Sequence, residues 1–373
     1  MTTNASGTRP ERVDETVDRL VHGWPRDAAR RDFDVDDGPD LAVFKATGKL
    51  GEALTFLQAE IWPAFNQADK AALHHQRMHR RLTEAAATSG ALAVLFGIVQ
   101  LVFPSLIHWH WVSGVEVCVA VVALLVVIFG IRASIQINWL LERFRAERLR
   151  QLKFAMLVNE DLWCGKFEAW QINVRQAVRG IRQVDRKAME AWADLDRVQL
   201  PEKEMADGPL EPGLLRVLAG FYIAKRLDYQ MSYFERRSRQ HGGQDRWLRH
   251  WPAWCFYGSV TAVAFHYLLD FIQCRSEAAE WLSQGFILLA LALPVTGACV
   301  RTVRVAREPG RSAALFRAKH AALQNLLQRL QGELEAVPVG SVKVLQSIAA
   351  CENFLEAEQR EWLRLMREAE WFG

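Results

Sequence analysis

The chain has 373 residues, a mass of 42.5 kDa, a formal net charge of +3 and a pI near 8.5. A composition of 50% hydrophobic and 24% charged residues excludes collagen-like repeats, low-complexity disorder and a disulfide-stapled miniprotein. The mild positive charge excludes the electrostatic footprint of a nucleic-acid binder, so no nucleic-acid partner is expected. These averages conceal a segregation: the apolar excess lies in four blocks and the charge lies between them.

Residues 1 to 40 carry ten acids and six bases with little apolar character, a composition that predicts disorder. Asp34-Val-Asp-Asp-Gly-Pro-Asp40 imitates a calcium loop. Its Gly comes one place early and Lys45 stands where a bidentate Glu is needed, so it reads as an acidic linker. No short apolar core with a small-residue cleavage site occurs before Arg80, so no secretory signal is expected and the first hairpin serves as its own insertion signal. His74, His75 and His79 follow. His75 and His79 are one helical turn apart, but no Cys or carboxylate stands at a matching spacing. They read as a basic flank meeting lipid headgroups, with no metal expected.

The four apolar blocks span about Ala85 to Leu106, Val112 to Ile131, Ala253 to Ile272 and Trp281 to Val300. Each has about 20 residues, the length that crosses roughly 30 Å of hydrocarbon as a helix. Lys and Arg number four in Lys70 to Arg81, six in Arg132 to Lys153, five in Arg236 to Arg249 and six in Arg301 to Lys319. The two connections inside the hairpins hold one between them, Arg275. The positive-inside rule then places both termini in the cytoplasm and two short hairpin tips outside, in a bacterial plasma membrane. Trp109, Trp111 and Trp281 fall at the outer boundary, and Trp139, Trp251 and Trp254 at the inner one. The two hairpins are offset by about 168 residues and enter from the same side, which predicts a parallel duplication.

Between and after the hairpins the pattern is helical. Arg132 to Ala193 contains no Pro and two Gly, and its apolar spacing, with Leu141 and Leu152 as packing residues, predicts a helix running well beyond the membrane. Pro201 to Gly213 reads as a loop, Leu214 to Phe234 as a helix, and His241-Gly-Gly243 as an interruption. Pro338 and Gly340 end the helix after the fourth block. The tail from Ser341 is amphipathic, with Leu345, Ile348, Leu355, Trp362 and Leu365 on one face. The expected fold is all-α: a polytopic membrane protein with four transmembrane helices in two parallel hairpin repeats and long cytoplasmic helices. Its segments are 1–64, a partly disordered cytoplasmic stretch; 65–200, the first hairpin unit; 201–213, a linker; 214–337, the second hairpin unit; and 338–373, the C-terminal helix.

No phosphate-cradling loop, G-x-S-x-G or H-E-x-x-H occurs, and the Cys at 118, 164, 255, 274, 299 and 351 show no C-x-x-C spacing. Neither catalytic residues nor a cofactor is expected, and free thiols fit a reducing compartment. The polar groups within the apolar blocks carry more signal. Glu116 lies early in the second block, and His266 and Asp270 share a face in the third. They are either interfacial residues reaching water or a polar lining at a pore mouth. Gly90 and Gly97, two turns apart, permit close helix approach, and Pro294 bends the fourth block or frees a carbonyl there.

Two stretches carry a resemblance. Trp139-x-x-x-Arg143-x-x-Ala146-Glu147-Arg148-Leu149-Arg150-x-x-x-Phe154 resembles the post-membrane helix of bacterial SLATT-type proteins, the two-transmembrane effectors associated with SLOG domains and SMODS nucleotidyltransferases. Tyr222-x-x-x-Arg226-Leu227-x-x-Gln230-x-x-Tyr233-Phe234 is similar to the pre-membrane helix of that group and of the related DUF4231 proteins. The resemblance covers about residues 65 to 335. It implies a membrane effector of a prokaryotic conflict system, acting on the bilayer when a nucleotide signal or sensor partner triggers it, and it supplies no catalytic residues. The chain departs from it in lacking a recognisable nucleotide-binding domain at its N-terminus. The expectation is a homo-oligomer that forms or regulates a pore in the lipid bilayer. A non-conducting scaffold recruiting a cytoplasmic partner and a small-solute transporter are the alternatives.

Overall fold

A computed structural model describes residues 48–103, 110–132, 134–195, 210, 212–272, 277–307, 309–336 and 340–368. Every regular element among the described residues is a helix. In chain order they are α1 (Gly48–Val102), α2 (His110–Arg132), α3 (Ile135–Leu157), α4 (Glu160–Trp163), α5 (Phe167–Gln183), α6 (Arg186–Asp194), α7 (Pro212–Tyr222), α8 (Asp228–Phe271), α9 (Glu277–Arg307), α10 (Pro309–Glu335) and α11 (Ser341–Glu368). A π turn, Ile223–Leu227, joins α7 to α8. The N-terminal 47 residues, Trp109, Cys274 and most of the linker lie outside the described residues.

The chain divides into two compact units. The first comprises the described residues of Met1–Leu73, Ile137–Arg236 and Phe316–Ala369. Its core is assembled from one face of each helix. On α1, Leu50, Leu54, Leu57 and Ile61 repeat at helical spacing and are fully buried. On α5, Trp170, Val174 and Val178 do the same. The Trp170 indole is completely enclosed and donates to the Met156 carbonyl at 2.9 Å, so its one polar atom is satisfied. Leu323, Leu330 and Leu334 of α10 and Val344, Ile348, Cys351 and Leu355 of α11 complete the cluster. The amphipathic tail thus buries Leu345, Ile348 and Leu355 of the face its sequence marks, while Trp362 and Leu365 are half-buried. A second cluster groups Trp139, Leu140 and Phe144 with Met189, Ala193 and Leu363.

Three sequence expectations are corrected here. The helix expected through Arg132 to Ala193 is broken into α2 to α6. Ser134 adopts a left-handed backbone (φ 47°). The Asn159 side chain accepts from Asp161 N–H at 2.9 Å and starts a new helix, and Gly165 (φ 82°) reverses the chain in a conformation that disfavours side chains. Asp185 caps α6 by accepting from Ala188 N–H. Conversely, the Gly242-Gly243 pair does not interrupt α8. A Cβ on Gly242 would stand 4.0 Å from Ala313 Cβ, and Ser238 bonds the Ala313 carbonyl at 3.2 Å, so packing keeps the helix intact. Finally, the loop expected up to Gly213 ends earlier, because Pro212 occupies the first position of α7, where its missing N–H costs nothing.

The second unit comprises the described residues of His74–Gln136 and Arg237–Leu315. Here the apolar side chains point outward: Leu101, Trp254 and Phe271 are 74%, 70% and 75% exposed. Among the described residues three helical runs are long and apolar enough to cross a membrane, in α1 and in those beginning at Gly114 and Ala278. Only 6%, 0% and 6% of their apolar windows are buried in the protein. Core helices of a water-soluble bundle would show the reverse. The third apolar block lies in α8, where Trp254, Tyr257, Ser259, Thr261 and His266 dilute the run. The fold predicts that Leu152→Asp, which places an unpaired charge in the core of the first unit, costs about 3 kcal/mol. Leu141→Asp at the half-buried edge of the second cluster should cost less; denaturant midpoints in detergent measure both.

Candidate functional site: polar groups of the two units

In the second unit, helices meet where Gly or a small polar group allows it. Gly97 of α1 faces Glu116 of α2: an added Cβ would stand 3.2 Å from the carboxylate. Glu116 accepts from Gln100 Nε2 at 2.8 Å, so the pair lies between α1 and α2. Gly90 has open space around it. Cys299 of α9 approaches the Ala87 carbonyl of α1 at 3.6 Å, and Phe103 stacks on Trp281 at 5.7 Å. Helices α8 and α9 close on Gly258 and Gly297, where an added Cβ would lie 3.0 Å from Leu293 and 3.1 Å from Cys255. Ser259 donates to the Ala290 carbonyl at 2.7 Å, and His266 Nδ1 pairs with Ser283 Oγ at 2.8 Å.

The structure therefore gives Glu116 and His266 separate partners on neighbouring helices. Asp270, one turn beyond His266, is exposed. Gly97 lies where α1 meets α2, and Gly258 and Gly297 make tighter contacts between α8 and α9. Among the described residues no group of three metal-ligating side chains forms.

The first unit holds a buried charge network that sequence patterning alone did not locate. Arg226, in the π turn, is 1% exposed. Its Nε and Nη2 donate to the two oxygens of Glu352 on α11, each at 2.9 Å, and Tyr222 Oη donates to the same carboxylate at 2.8 Å. The guanidinium lies 5.1 Å from the Phe154 ring centre, and Phe154 meets Tyr222 edge-on at 5.6 Å. Beside it, Glu147 accepts from Arg150 at 2.8 Å and pairs with Arg143. Lys319 pairs with Glu358.

The electrostatics follow from burial and these partners. Burial pushes Glu147 up, but the guanidiniums of Arg143, Arg150 and Arg226 and the Arg150 hydrogen bonds outweigh it and hold the carboxyl at about 2. Burial also raises Glu358, against the opposing pull of Lys319. Desolvation together with the Glu352 charge moves Tyr222 well above its ordinary value. Arg143, Glu147, Arg150 and Phe154 belong to one of the two stretches of the resemblance, and Tyr222 and Arg226 to the other. The fold packs the two together.

No protein-family profile, curated protein or solved structure matches the chain. Its class rests on its own geometry: among the described residues it is all-helical, with three helices of membrane-crossing length and apolarity.

Two outcomes are expected. Glu147 has a folded pKa depressed from 4.5 to about 2, so its contribution is full above its unfolded value and is lost as pH falls through about 2. Unfolding midpoints between pH 5 and pH 2 should fall less steeply for Glu147→Gln than for the unsubstituted chain. Separately, Gly97→Val should displace the Glu116 carboxylate and lower thermal stability in detergent by about 1–3 kcal/mol, whereas Gly90→Val should be tolerated.

Proposed function

We propose that this chain is a four-span protein of a bacterial plasma membrane, with both termini and the first unit in the cytoplasm. We further propose that it is a membrane effector of a prokaryotic conflict system, assembling into a homo-oligomer that forms or regulates a pore. The observation that carries the membrane reading is the outward-facing apolar surface of the second unit. That surface extends over α8, where Phe256, Tyr257, Val260, Val263 and Leu268 are all exposed, which supports the third block crossing with the others despite its diluted composition. The contacts of α1 with α2 through Gln100 and Glu116, and of α8 with α9 through Ser259 and the Ala290 carbonyl, support reading them as two hairpins. The effector reading is supported by the two stretches that resemble SLATT-type and DUF4231 proteins and that pack on each other through Phe154, Tyr222 and Arg226. The trigger is a nucleotide signal or a sensor protein.

Glu116 and His266 are held by neighbouring helices of the same chain, which leaves Asp270 as the free charge near the end of α8. A pore mouth is then built from Asp270 of several copies, with Glu116 behind, and favours cations because low-dielectric walls screen poorly. Reporter fusions at Met1, Met205 and Gly373 should report cytoplasm, and fusions near Trp109 and Glu277 the outside; an outside signal at Met205 refutes the parallel hairpins. In planar bilayers under a salt gradient, Asp270→Asn should move the reversal potential toward zero and Glu116→Gln should move it less. A purified oligomer that never conducts, in the presence of candidate nucleotide signals, refutes the pore.

A further inference from the structure

Helix α8 enters its apolar stretch at Ala253 after a run dense in Arg and Trp, and the faces of that run have different fates. One face is closed. Asp245, 4% exposed, accepts from Arg249 at 2.5 Å and from Arg304 of α9 at 3.1 Å. Gly310 backs it so tightly that an added Cβ would stand 3.1 Å from the carboxylate. These two arginines are consumed within the protein.

The opposite face is open. Trp247, Trp251 and Trp254 follow one another at i, i+4 and i+7 and are 62%, 43% and 70% exposed. The first two rings lie 5.4 Å apart. Arg246 and His250, one turn apart, flank this ladder on one side. Both are exposed, and neither makes a hydrogen bond or ion pair among the described residues. The stripe that continues from them, through Trp254, Tyr257 and Thr261, is exposed at every step.

We propose that Arg246, His250 and the Trp247–Trp251–Trp254 ladder form a binding site for one anionic phospholipid. The phosphodiester accepts from the Arg246 guanidinium and the His250 ring N–H, and the indole N–H groups reach the glycerol level. One acyl chain lies along Trp254, Tyr257 and Thr261. From His250 to Thr261 the helix rises about 16 Å, close to the depth of one leaflet's hydrocarbon. Zwitterionic lipid fits less well because its cationic headgroup meets Arg246. The site is more than a basic flank. Arg77 and Arg81 of α1 are spaced identically and exposed, but no Trp stands on the turns between Arg81 and Leu101. The proposal rests on the reading that α8 crosses the membrane.

The test places the full chain in nanodiscs of phosphatidylcholine with a minor share of phosphatidylglycerol and measures the lipids that stay bound, by native mass spectrometry. The unsubstituted chain should retain phosphatidylglycerol preferentially. Arg246→Gln with His250→Gln should lower that preference about fivefold. Arg77→Gln with Arg81→Gln should leave it within about twofold. Equal loss from both pairs means a general surface attraction and overturns the site, as does an unchanged preference in the first pair. A fluorescent side chain at Val260, 53% exposed, is read in parallel against bromine-labelled acyl chains. A quenched label with unchanged preference overturns the lipid site alone. A label that the bromines never reach overturns the crossing of α8 and the site with it.

Discussion

The carboxylate of Glu352 holds the first unit together. Arg226 is enclosed almost completely, and a guanidinium cannot shed its charge, so its burial demands a fixed counter-charge with matching geometry. Glu352 supplies that with a two-point contact and takes the Tyr222 hydroxyl as a third. The π turn makes this possible. The segment is largely buried: Phe221, Ile223 and Leu227 fill the core while Tyr222 and Arg226 turn toward one carboxylate. A π turn widens the helix by one residue and re-aims its side chains, a local cost sustained by the tertiary contacts around it. The C-terminal helix is thereby tied to the segment before the third apolar block by charge as well as by Val344, Ile348 and Leu355.

The two units solve opposite problems with one average composition. In the first, apolar faces turn inward and the remaining charges pair across helices, as Arg175 does with Glu60 and Arg367 with Asp194. In the second, apolar side chains turn outward, and polar groups such as Glu116, Ser259 and His266 turn toward neighbouring helices. A mean hydropathy of −0.04 describes neither unit.

Much of this is legible in the sequence. Twenty-residue apolar blocks are a strong signal because bilayer thickness fixes helix length, and the spacing of Leu345, Ile348 and Leu355 identifies the buried face of α11. Breaks were harder to see. Asn159 and Gly165 are ordinary residues in a helix-favouring stretch, and only the cap bond to Asp161 and the positive φ show that the chain turns there. Gly242-Gly243 looks like a break and is not one: α8 runs through it unbroken, with Ser238 bonded to the Ala313 carbonyl one turn before. The Arg226–Glu352 pair joins residues 126 positions apart, and no local pattern encodes it. Tyr222 and Arg226 were singled out by resemblance, but their partner came only from the fold. In the second unit, Glu116 and Gly97 were each identified separately. Their contact depended on the pairing of α1 with α2.

The polar groups of the second unit constrain how it could conduct. In hydrocarbon each polar group needs a partner inside the protein. Thr261, Thr296 and Thr302 bond carbonyls of their own helices, Ser259 bonds across to α9, His266 takes Ser283, and Glu116 takes Gln100. Groups already satisfied in this way are poor substitutes for the hydration shell of a moving ion, because each contact with the ion would break an existing bond. Asp270 stands apart, exposed and near the end of its helix. On the proposed reading, the described residues of a single chain therefore supply a charge for a mouth but no continuous polar lining. The lining must come from faces brought together by several copies, so assembly precedes conduction, and a trigger that controls assembly would control the pore.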